Sequence, residues 1–169
     1  MKRNFDGGVP RQAGKASVFC DENVLSFDFE CEEQNVVARG AGYNADIWEG
    51  DVYEVMIRLD CPCRYLEASV NASNTAYCVI IENDGKGAFK IERRLPEKTV
   101  THSCRAEGGT VRATLKFEIK ALQSLGMPAG TPVFNVFRQD FDESGELHLS
   151  AANPTGRKTF HIPQSFFAF

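Results

Sequence analysis

The sequence predicts an all-β fold, an antiparallel β-sandwich of the jelly-roll or immunoglobulin-like kind with one short helix. Three observations predict it: about ten short segments rich in β-branched and aromatic residues, turn-forming residues between them, and one segment with helical character. A chain of 169 residues has the usual size of one domain. We therefore expect a single domain over residues 16–169, preceded by an N-terminal strap or loop over residues 1–15.

The first half of the chain contains four strand segments. Residues 25–31 alternate between apolar and polar side chains, which is typical of a strand with one buried face. Residues 52–59 are rich in β-branched and aromatic side chains and are expected near the centre of a sheet. Two further strands are expected over residues 65–71 and 77–81, joined by the turn-forming residues 72–75.

A hairpin is expected in the next part of the chain. The turn-forming residues 83–87 end the preceding strand. Strands over residues 100–106 and 111–119 then flank residues 107–109, which contain two glycines. Glycine allows the backbone conformations that tight hairpin turns require, so this segment predicts a pair of antiparallel strands.

The last third of the chain supplies the helix and two strands. Only residues 119–125 have helical character, and Gly126 and Pro128 end that segment. Residues 132–138 are expected to form a strand, and after a polar loop residues 147–150 form another.

Charge excludes two classes of partner. The chain has 19 Lys and Arg against 23 Asp and Glu, a net charge of −4. Nucleic acids and anionic membranes bind basic surfaces, so neither is expected as a partner. A basic start without a following apolar segment predicts a cytoplasmic protein, whereas removal of a signal peptide would indicate secretion or a periplasmic protein. The sequence does not indicate an oligomeric state.

The six cysteines are expected to be thiols. In a reducing compartment, cysteine mostly acts as a small buried apolar residue. Cys61 and Cys63 are an exception because they lie in an expected hairpin loop. A structural zinc ion needs four ligands, and no partner pair of Cys or His has suitable spacing, so no metal is expected there.

The sequence contains no pattern that predicts an enzyme. There is no Gly-x-Ser-x-Gly motif and there are only three histidines, His102, His148 and His161. Glycoside hydrolysis needs a pair of carboxylates, but no spacing singles out such a pair among the 23 acidic residues.

Calcium is the one cofactor for which the sequence offers a partial motif. Asp140 and the residues up to Gly145 open like the loop of an EF-hand, but Ala151 stands at the twelfth position, where that loop needs a bidentate Glu. The loop also joins two expected strands rather than two helices. The sequence therefore predicts an acidic hairpin turn and no cofactor, with calcium as the less favoured alternative.

The only tryptophan lies among acidic residues, immediately before the strand over residues 52–59. A tryptophan at a polar strand entrance is expected to be partly exposed. A sugar ring has an apolar face that stacks on an aromatic side chain and hydroxyls that bond to carboxylates, and Trp48, Asp51 and Glu54 supply both kinds of group. The alternative is that Trp48 closes one end of the sandwich.

Two motifs resemble a known family. The pattern of Trp48, Asp51, Glu54 and Val55 resembles the signature of family 9 carbohydrate-binding modules. Residues 148–167 are similar to the closing motif of stand-alone bacterial relatives of that family. The resemblance covers about residues 16–169 and implies an antiparallel β-sandwich that binds a mono- or disaccharide without catalysis.

The resemblance also implies site residues. In that family two tryptophans enclose the sugar, and Trp48 matches the first while Phe160 falls near the second. Glu54 matches a glutamate that binds hydroxyls. Arg138 and His161 match motif positions, where they either line the site or support the sheet.

Two alternatives remain beside sugar binding. Residues 151–152 are alanines where the family commonly has a tryptophan, which favours a protein-interaction or structural domain that has lost the sugar site. Haem binding is a third hypothesis, because related sandwiches carry haem and Met56 with a histidine could supply axial ligands.

Overall fold

Two antiparallel sheets pack against each other in the computed structural model, which describes residues 1–169. The larger sheet has eight strands and the smaller one four. The strands are β1 (Lys2–Arg3), β2 (Gly14–Cys20), β3 (Val24–Glu32), β4 (Val52–Arg58), β5 (Arg64–Val70), β6 (Ala76–Asn83), β7 (Phe89–Arg94), β8 (Thr101–Glu107), β9 (Thr110–Glu118), β10 (Val133–Phe141), β11 (Leu147–Ala151) and β12 (Phe167–Ala168).

The expected fold class is confirmed. The order of strands is β1-β11-β10-β4-β5-β6-β7 in the large sheet, where β12 also pairs with β10, and β2-β3-β9-β8 in the small one. The one α-helix, α1, spans Ile119–Ser124. Short 3-10 turns span Ile47–Glu49, Glu97–Thr99 and Pro163–Ser165. None of the helices has the length and apolar composition that crossing a membrane requires.

The main core lies between the two sheets. Alternate residues of each strand face it, as Tyr53, Val55 and Ile57 do on β4 and Leu25 and Phe27 do on β3. All five side chains have no exposed surface. Burying one such side chain stabilises a fold by roughly 1.5–3 kcal/mol, so this layer is the main source of stability.

The outer face of the large sheet is also covered. Val52, Met56 and Phe137 point away from the main core and belong to a second buried cluster of 11 residues. The turn before β4 and the segment of residues 152–166 cover this cluster, since Ile47, Phe160 and Phe166 are among its members. The central strands are therefore buried on both faces, which explains their nearly unbroken apolar sequence.

The structure contains four strands beyond those the sequence pattern indicated, namely β1, β2, β7 and β12. Every residue of β7 is exposed, and β2 alternates only between exposed and half-buried positions. Main-chain pairing with β6 defines β7, and main-chain pairing with β3 defines β2. Such pairing leaves little trace in the hydrophobic pattern of the sequence. The N-terminal 15 residues contribute β1 to the large sheet and the start of β2 to the small one.

The N-terminal segment is tied to the covering segment through Asn4. This side chain is fully buried, and its amide nitrogen lies 2.9 Å from Thr155 Oγ1 and 3.1 Å from the carbonyl oxygen of Thr159, donating to both. Its amide oxygen accepts a bond of 3.0 Å from the backbone of Thr155. Residues near both ends of the chain therefore fix the same loop over the large sheet.

Candidate functional site

A cavity of about 420 Å³ opens on the outer face of the large sheet. Its floor comes from the central strands, and its walls come from the turn at Ile47–Glu49, strands β7 and β11, and residues 158–161. Its apolar and aromatic lining residues are Trp48, Tyr77, Phe89, Ile91, Leu147, Leu149 and Phe160. Its polar lining residues are Glu54, Glu67, Gln139, Lys158, Thr159 and His161.

Exposed apolar side chains concentrate at this cavity. Four of the nine large apolar side chains that the fold leaves exposed line it, namely Trp48, Phe89, Ile91 and Leu147. Each is between 41% and 48% exposed. A concentration of exposed apolar surface around a concave site indicates a binding surface rather than ordinary surface scatter.

Trp48 lies at one end of the cavity in a well-fixed turn. Its ring meets the ring of Tyr77 edge to face, with centroids 5.0 Å apart and planes at 74°. The side-chain amide of Gln139 donates to the carbonyl oxygens of Trp48 and Gly50. A side chain at Gly50 would collide with the carbonyl oxygen of Val37, so only glycine fits this turn. The ring remains 41% exposed, as expected for a tryptophan at a strand entrance.

Two glutamates lie side by side on the floor. Glu54 of β4 pairs with Ser69 of β5, and Met56 pairs with Glu67, so the two glutamates are diagonal neighbours on one face of the sheet. They are only 6% and 8% exposed. Oε1 of Glu54 and Oε2 of Glu67 are buried and have no hydrogen-bond donor.

Burial controls the protonation of these glutamates. It raises the pKa of Glu54 well above the usual range for a glutamate, and the nearby charge of Glu67 raises it further. Burial raises the pKa of Glu67 as well. Desolvation disfavours the charged form of a carboxyl group, and two anions in one small site disfavour each other. These two carboxyl groups therefore tend to share a proton.

His161 and Phe89 form the opposite end of the cavity. Their rings stack with centroids 3.5 Å apart and planes at 20°. The hydroxyl of Tyr65 lies 2.7 Å from Nδ1 of His161, and the side chain of Asn83 donates to the His161 carbonyl oxygen at 3.0 Å. Burial lowers the pKa of His161 to about 4, so the ring is neutral at pH 7. Its contact of 4.0 Å with Glu67 is therefore not an ion pair.

Phe160 lines the cavity but offers it little surface. It is 7% exposed, and its ring stacks on Phe137 of the floor with centroids 4.4 Å apart and planes at 26°. One face of Phe160 is thus occupied by the protein itself. The well-exposed aromatic ring at the far end is Phe89, which the sequence analysis missed. The alternation of Phe89, Lys90, Ile91 and Glu92 is a period-2 pattern that indicates a strand here, although it does not show that the strand borders the cavity.

Arg138 does not line the cavity, although its neighbours Phe137 and Gln139 face that side. Side chains alternate along a strand, so Arg138 of β10 points between the sheets and is 1% exposed. Its guanidinium donates to Glu33 Oε2 at 2.8 Å and lies 3.7 Å from Asp140. Of the two roles that the sequence left open, the structure places Arg138 in the supporting one.

Asp51 also lies away from the cavity, in contrast to the sequence prediction. Its carboxylate accepts bonds from the backbone N–H groups of Val37 and Phe141, at 2.6 Å and 2.7 Å. Burial raises the pKa of Asp51 to about 6. One of its carboxylate oxygens lies within 4.8 Å of a carboxylate oxygen of Glu33 and of Asp140, next to the guanidinium of Arg138. Asp51 therefore links the loop at Val37 to the end of strand β10 at Phe141.

The acidic loop between β10 and β11 is a hairpin turn. Asp142 Oδ1 accepts bonds from the backbone of Ser144 and Glu146, at 2.8 Å and 2.9 Å. Its Oδ2 lies 3.1 Å from Nε2 of His148. Hydrogen bonds from Ser144 and His148 hold the pKa of Asp142 below its usual range. Asp140 points inward and accepts a bond of 3.1 Å from Gln12, so the two carboxylates do not converge on one point.

Solved structures of other proteins share this fold. The chain superposes on a candidate carbohydrate-binding protein from Bacteroides uniformis with a TM-score of 0.71 and 14% identity, over 93% of this chain and 77% of that one. It superposes on a family 9 carbohydrate-binding module from Caldicellulosiruptor kristjanssonii in complex with glucose, with a TM-score of 0.65 and 10% identity, over 99% and 81%. A second structure of such a module from that organism, with cellotriose, gives a TM-score of 0.57 and 11% identity, over 88% and 68%.

These similarities confirm a fold like that of family 9 carbohydrate-binding modules. No family model and no curated protein matches the sequence. At 10–14% identity, the likeness concerns the arrangement of the backbone. What the cavity binds has to be argued from its own side chains.

Proposed function

We propose that this protein binds a small saccharide, a mono- or disaccharide, in the cavity between Trp48 and the Phe89–His161 pair, and does not transform it. One observation carries the proposal: two buried carboxylates with unpartnered oxygens lie beneath exposed aromatic side chains in a single cavity. A sugar is the common small ligand that combines an apolar ring face with several hydroxyl donors.

The chemistry of the two ends fits a sugar ring. Trp48 and Phe89 present apolar faces on which the C–H groups of a pyranose can stack. Glu54 and Glu67 accept hydrogen bonds, and a bond from a hydroxyl to an ionised carboxylate is about twice as strong as one between neutral groups. The aromatic partner of Trp48 in this proposal is Phe89, because its ring is 48% exposed although His161 stacks on one face, whereas Phe160 is only 7% exposed.

The dimensions of the cavity support a ligand of one or two sugar units. Trp48 contacts Tyr77 at the start of β6, and His161 contacts Tyr65, the partner of Ile81. Tyr77 and Ile81 are four residues apart on β6, which corresponds to roughly 13 Å at the rise of a β-strand. The solved complexes of similar fold hold glucose and cellotriose, which makes glucose and its short oligomers the first ligands to test.

A glycan array followed by a fluorescence titration tests the proposal. Trp48 is the only tryptophan, so any ligand-dependent change in its emission comes from the cavity. We expect saturable quenching or a blue shift with at least one mono- or disaccharide, and loss of binding in Trp48→Ala. A protein that binds no glycan on the array contradicts the proposal and favours a protein-interaction domain. Turnover of a bound glycoside contradicts the non-catalytic part alone.

A further inference from the structure

We propose that the saccharide held in this cavity carries a protonated amine, and that Glu54 and Glu67 together bind the ammonium group. This inference rests on the proposed function, since it names the class of sugar that the same site takes. It follows from the two carboxyl groups of the cavity floor. The shape of the cavity and its aromatic walls fit neutral and charged sugars equally.

The floor offers two acceptors and no positive charge of its own. Glu54 and Glu67 are diagonal neighbours, and each keeps one buried oxygen without a donor. A neutral sugar hydroxyl can donate one hydrogen bond, but it leaves the repulsion between two buried anions in place. A buried charge without a partner is strongly unfavourable, so full ionisation of both groups requires a cation between them.

No cationic side chain of the protein fills that position. Arg58 lies on the same face of β4 but forms no ion pair, and Arg94 donates to the Asn44 carbonyl oxygen while stacking over Tyr77. Lys158 is the only Lys or Arg among the lining residues, and its exposed side chain pairs with neither glutamate. A cation that allows both glutamates to ionise can therefore come only from a ligand.

The remaining titratable groups around the floor are neutral at pH 7. Burial lowers the pKa of His161 to about 4, which leaves its ring uncharged. Burial raises the pKa of Tyr65 and of Tyr77, which keeps both hydroxyls protonated. None of these three groups can compensate the charge of the two glutamates.

An ammonium group fits the floor better than a metal ion. Calcium takes six to eight oxygen ligands and magnesium takes six, whereas the floor supplies two carboxylates. An ammonium group has three donors, which can serve one oxygen of each glutamate and one further acceptor. A hexosamine places this group on the edge of a ring whose faces remain free to stack on Trp48 and Phe89.

Two measurable consequences follow. A free amino sugar should bind more tightly than the N-acetylated sugar or the neutral hexose, because only the amine brings a charge. Binding should also release a proton, because burial raises the pKa of both carboxyl groups and the ammonium group favours their ionised form. The proton passes to the buffer, so the heat of binding depends on the buffer used.

Calorimetric titration tests the inference with glucosamine, galactosamine, their N-acetyl forms, glucose and galactose. The titrations are made near neutral pH in phosphate and in MOPS, whose amine is tertiary, because the primary amine of Tris would compete with the amino sugar. We expect at least one free amino sugar to bind ten times more tightly than its acetylated and neutral counterparts, with proton release. This preference should be lost in Glu54→Gln and in Glu67→Gln, which mimic the neutral acid and preserve its shape.

Glu49→Gln is the matched control. Glu49 is an exposed acid beside Trp48 that does not line the cavity, so this variant makes the same side-chain replacement away from the floor and should keep the preference. Equal or tighter binding of glucose or an N-acetyl sugar overturns the inference and leaves the saccharide function standing. A preference that survives in both floor variants also overturns it. If none of these sugars binds, the inference fails, and the glycan array decides separately on the proposed function.

Discussion

Glu54 and Arg138 lie on neighbouring strands but on opposite faces of the large sheet. Glu54 pairs with Phe137 and faces the cavity, while Arg138 pairs with Tyr53 and faces the main core. The one fully buried arginine therefore cannot neutralise the floor of the cavity. It neutralises Glu33 instead, at 2.8 Å, and leaves Glu54 and Glu67 without a cationic side chain.

Replacing Trp48 should affect the unfolding free energy much less than replacing a buried aromatic residue. Trp48 is 41% exposed, so its truncation to alanine opens no closed cavity, and we expect a loss of about 1 kcal/mol. Phe137 is fully buried, and Phe137→Ala is the control, with an expected loss of roughly 3–5 kcal/mol. Urea unfolding of the two variants measures both values. Equal losses would show that Trp48 closes the sandwich, as the alternative interpretation of the sequence holds.

Phe160→Ala should resemble Phe137→Ala rather than Trp48→Ala. Its ring is 7% exposed and stacks on Phe137, so its removal leaves a gap under the covering segment. We expect a loss of roughly 3 kcal/mol, which corresponds to a fall in Tm of about 6–12 °C for a domain of this size. Differential scanning calorimetry measures the shift. A near-native Tm together with lost sugar binding would instead make Phe160 a ligand-stacking residue.

Breaking the buried ion pair of Arg138 should destabilise the protein strongly. Arg138→Met leaves Glu33 buried without its main cation, and such a change costs roughly 3–5 kcal/mol. The double variant Arg138→Met with Glu33→Gln should recover a large part of this loss, because it removes the unpaired charge. Denaturant unfolding of the two single variants and the double variant measures the coupling. A double variant no more stable than Arg138→Met would refute the role given to Glu33.

The floor glutamates should make stability depend on pH. Their pKa values are raised in the folded protein, so it binds more protons than the unfolded chain above the ordinary glutamate range. Their contribution is therefore complete at acid pH and is lost as pH rises through the folded-state values. The lowered pKa of His161 acts in the opposite direction, with stability lost as pH falls from about 6.5 to 4.

The difference between Glu54→Gln and the parent isolates the effect of that carboxyl group, because His161 is common to both proteins. We expect the variant to gain stability relative to the parent as pH rises from 5 toward 8, a range chosen to start near the ordinary glutamate pKa of about 4.3. Thermal unfolding at intervals across this range checks the sign. A difference that is constant with pH would mean that Glu54 ionises in the folded protein as it does in the unfolded chain.

The sequence indicated the strands better than it indicated the site. Alternation in segments such as residues 25–31 predicted burial on one face, and β3 has that pattern. Trp48 and Glu54 lie at the cavity, but Asp51 does not. Asp51 and Glu54 are separated by an odd number of positions around the start of β4, so they face opposite sides of the sheet. The motif spacing alone does not show which face of the sheet each residue points to, because that depends on the residue at which the strand begins.

Glu67 and Phe89 could not be assigned to the site from their own segments. Glu67 lies in a strand buried on both faces, so its role depends on its register with Met56 of β4. Phe89 reaches the cavity because β7 pairs with β6 and because His161, over 70 residues later in the chain, stacks on it. Such partnerships are properties of the folded chain and are absent from any local pattern.

The segment of residues 152–166 is synthesised after the strands that it covers, and this order affects folding. Residues 152–166 cover the outer face of the large sheet, and Asn4 from the start of the chain holds the same loop in place. Until this loop has left the ribosome, the nascent sheet exposes Met56 and Phe137 to water on that face. A partly folded chain in which this loop is still detached is therefore the species most prone to aggregation and most open to chaperones.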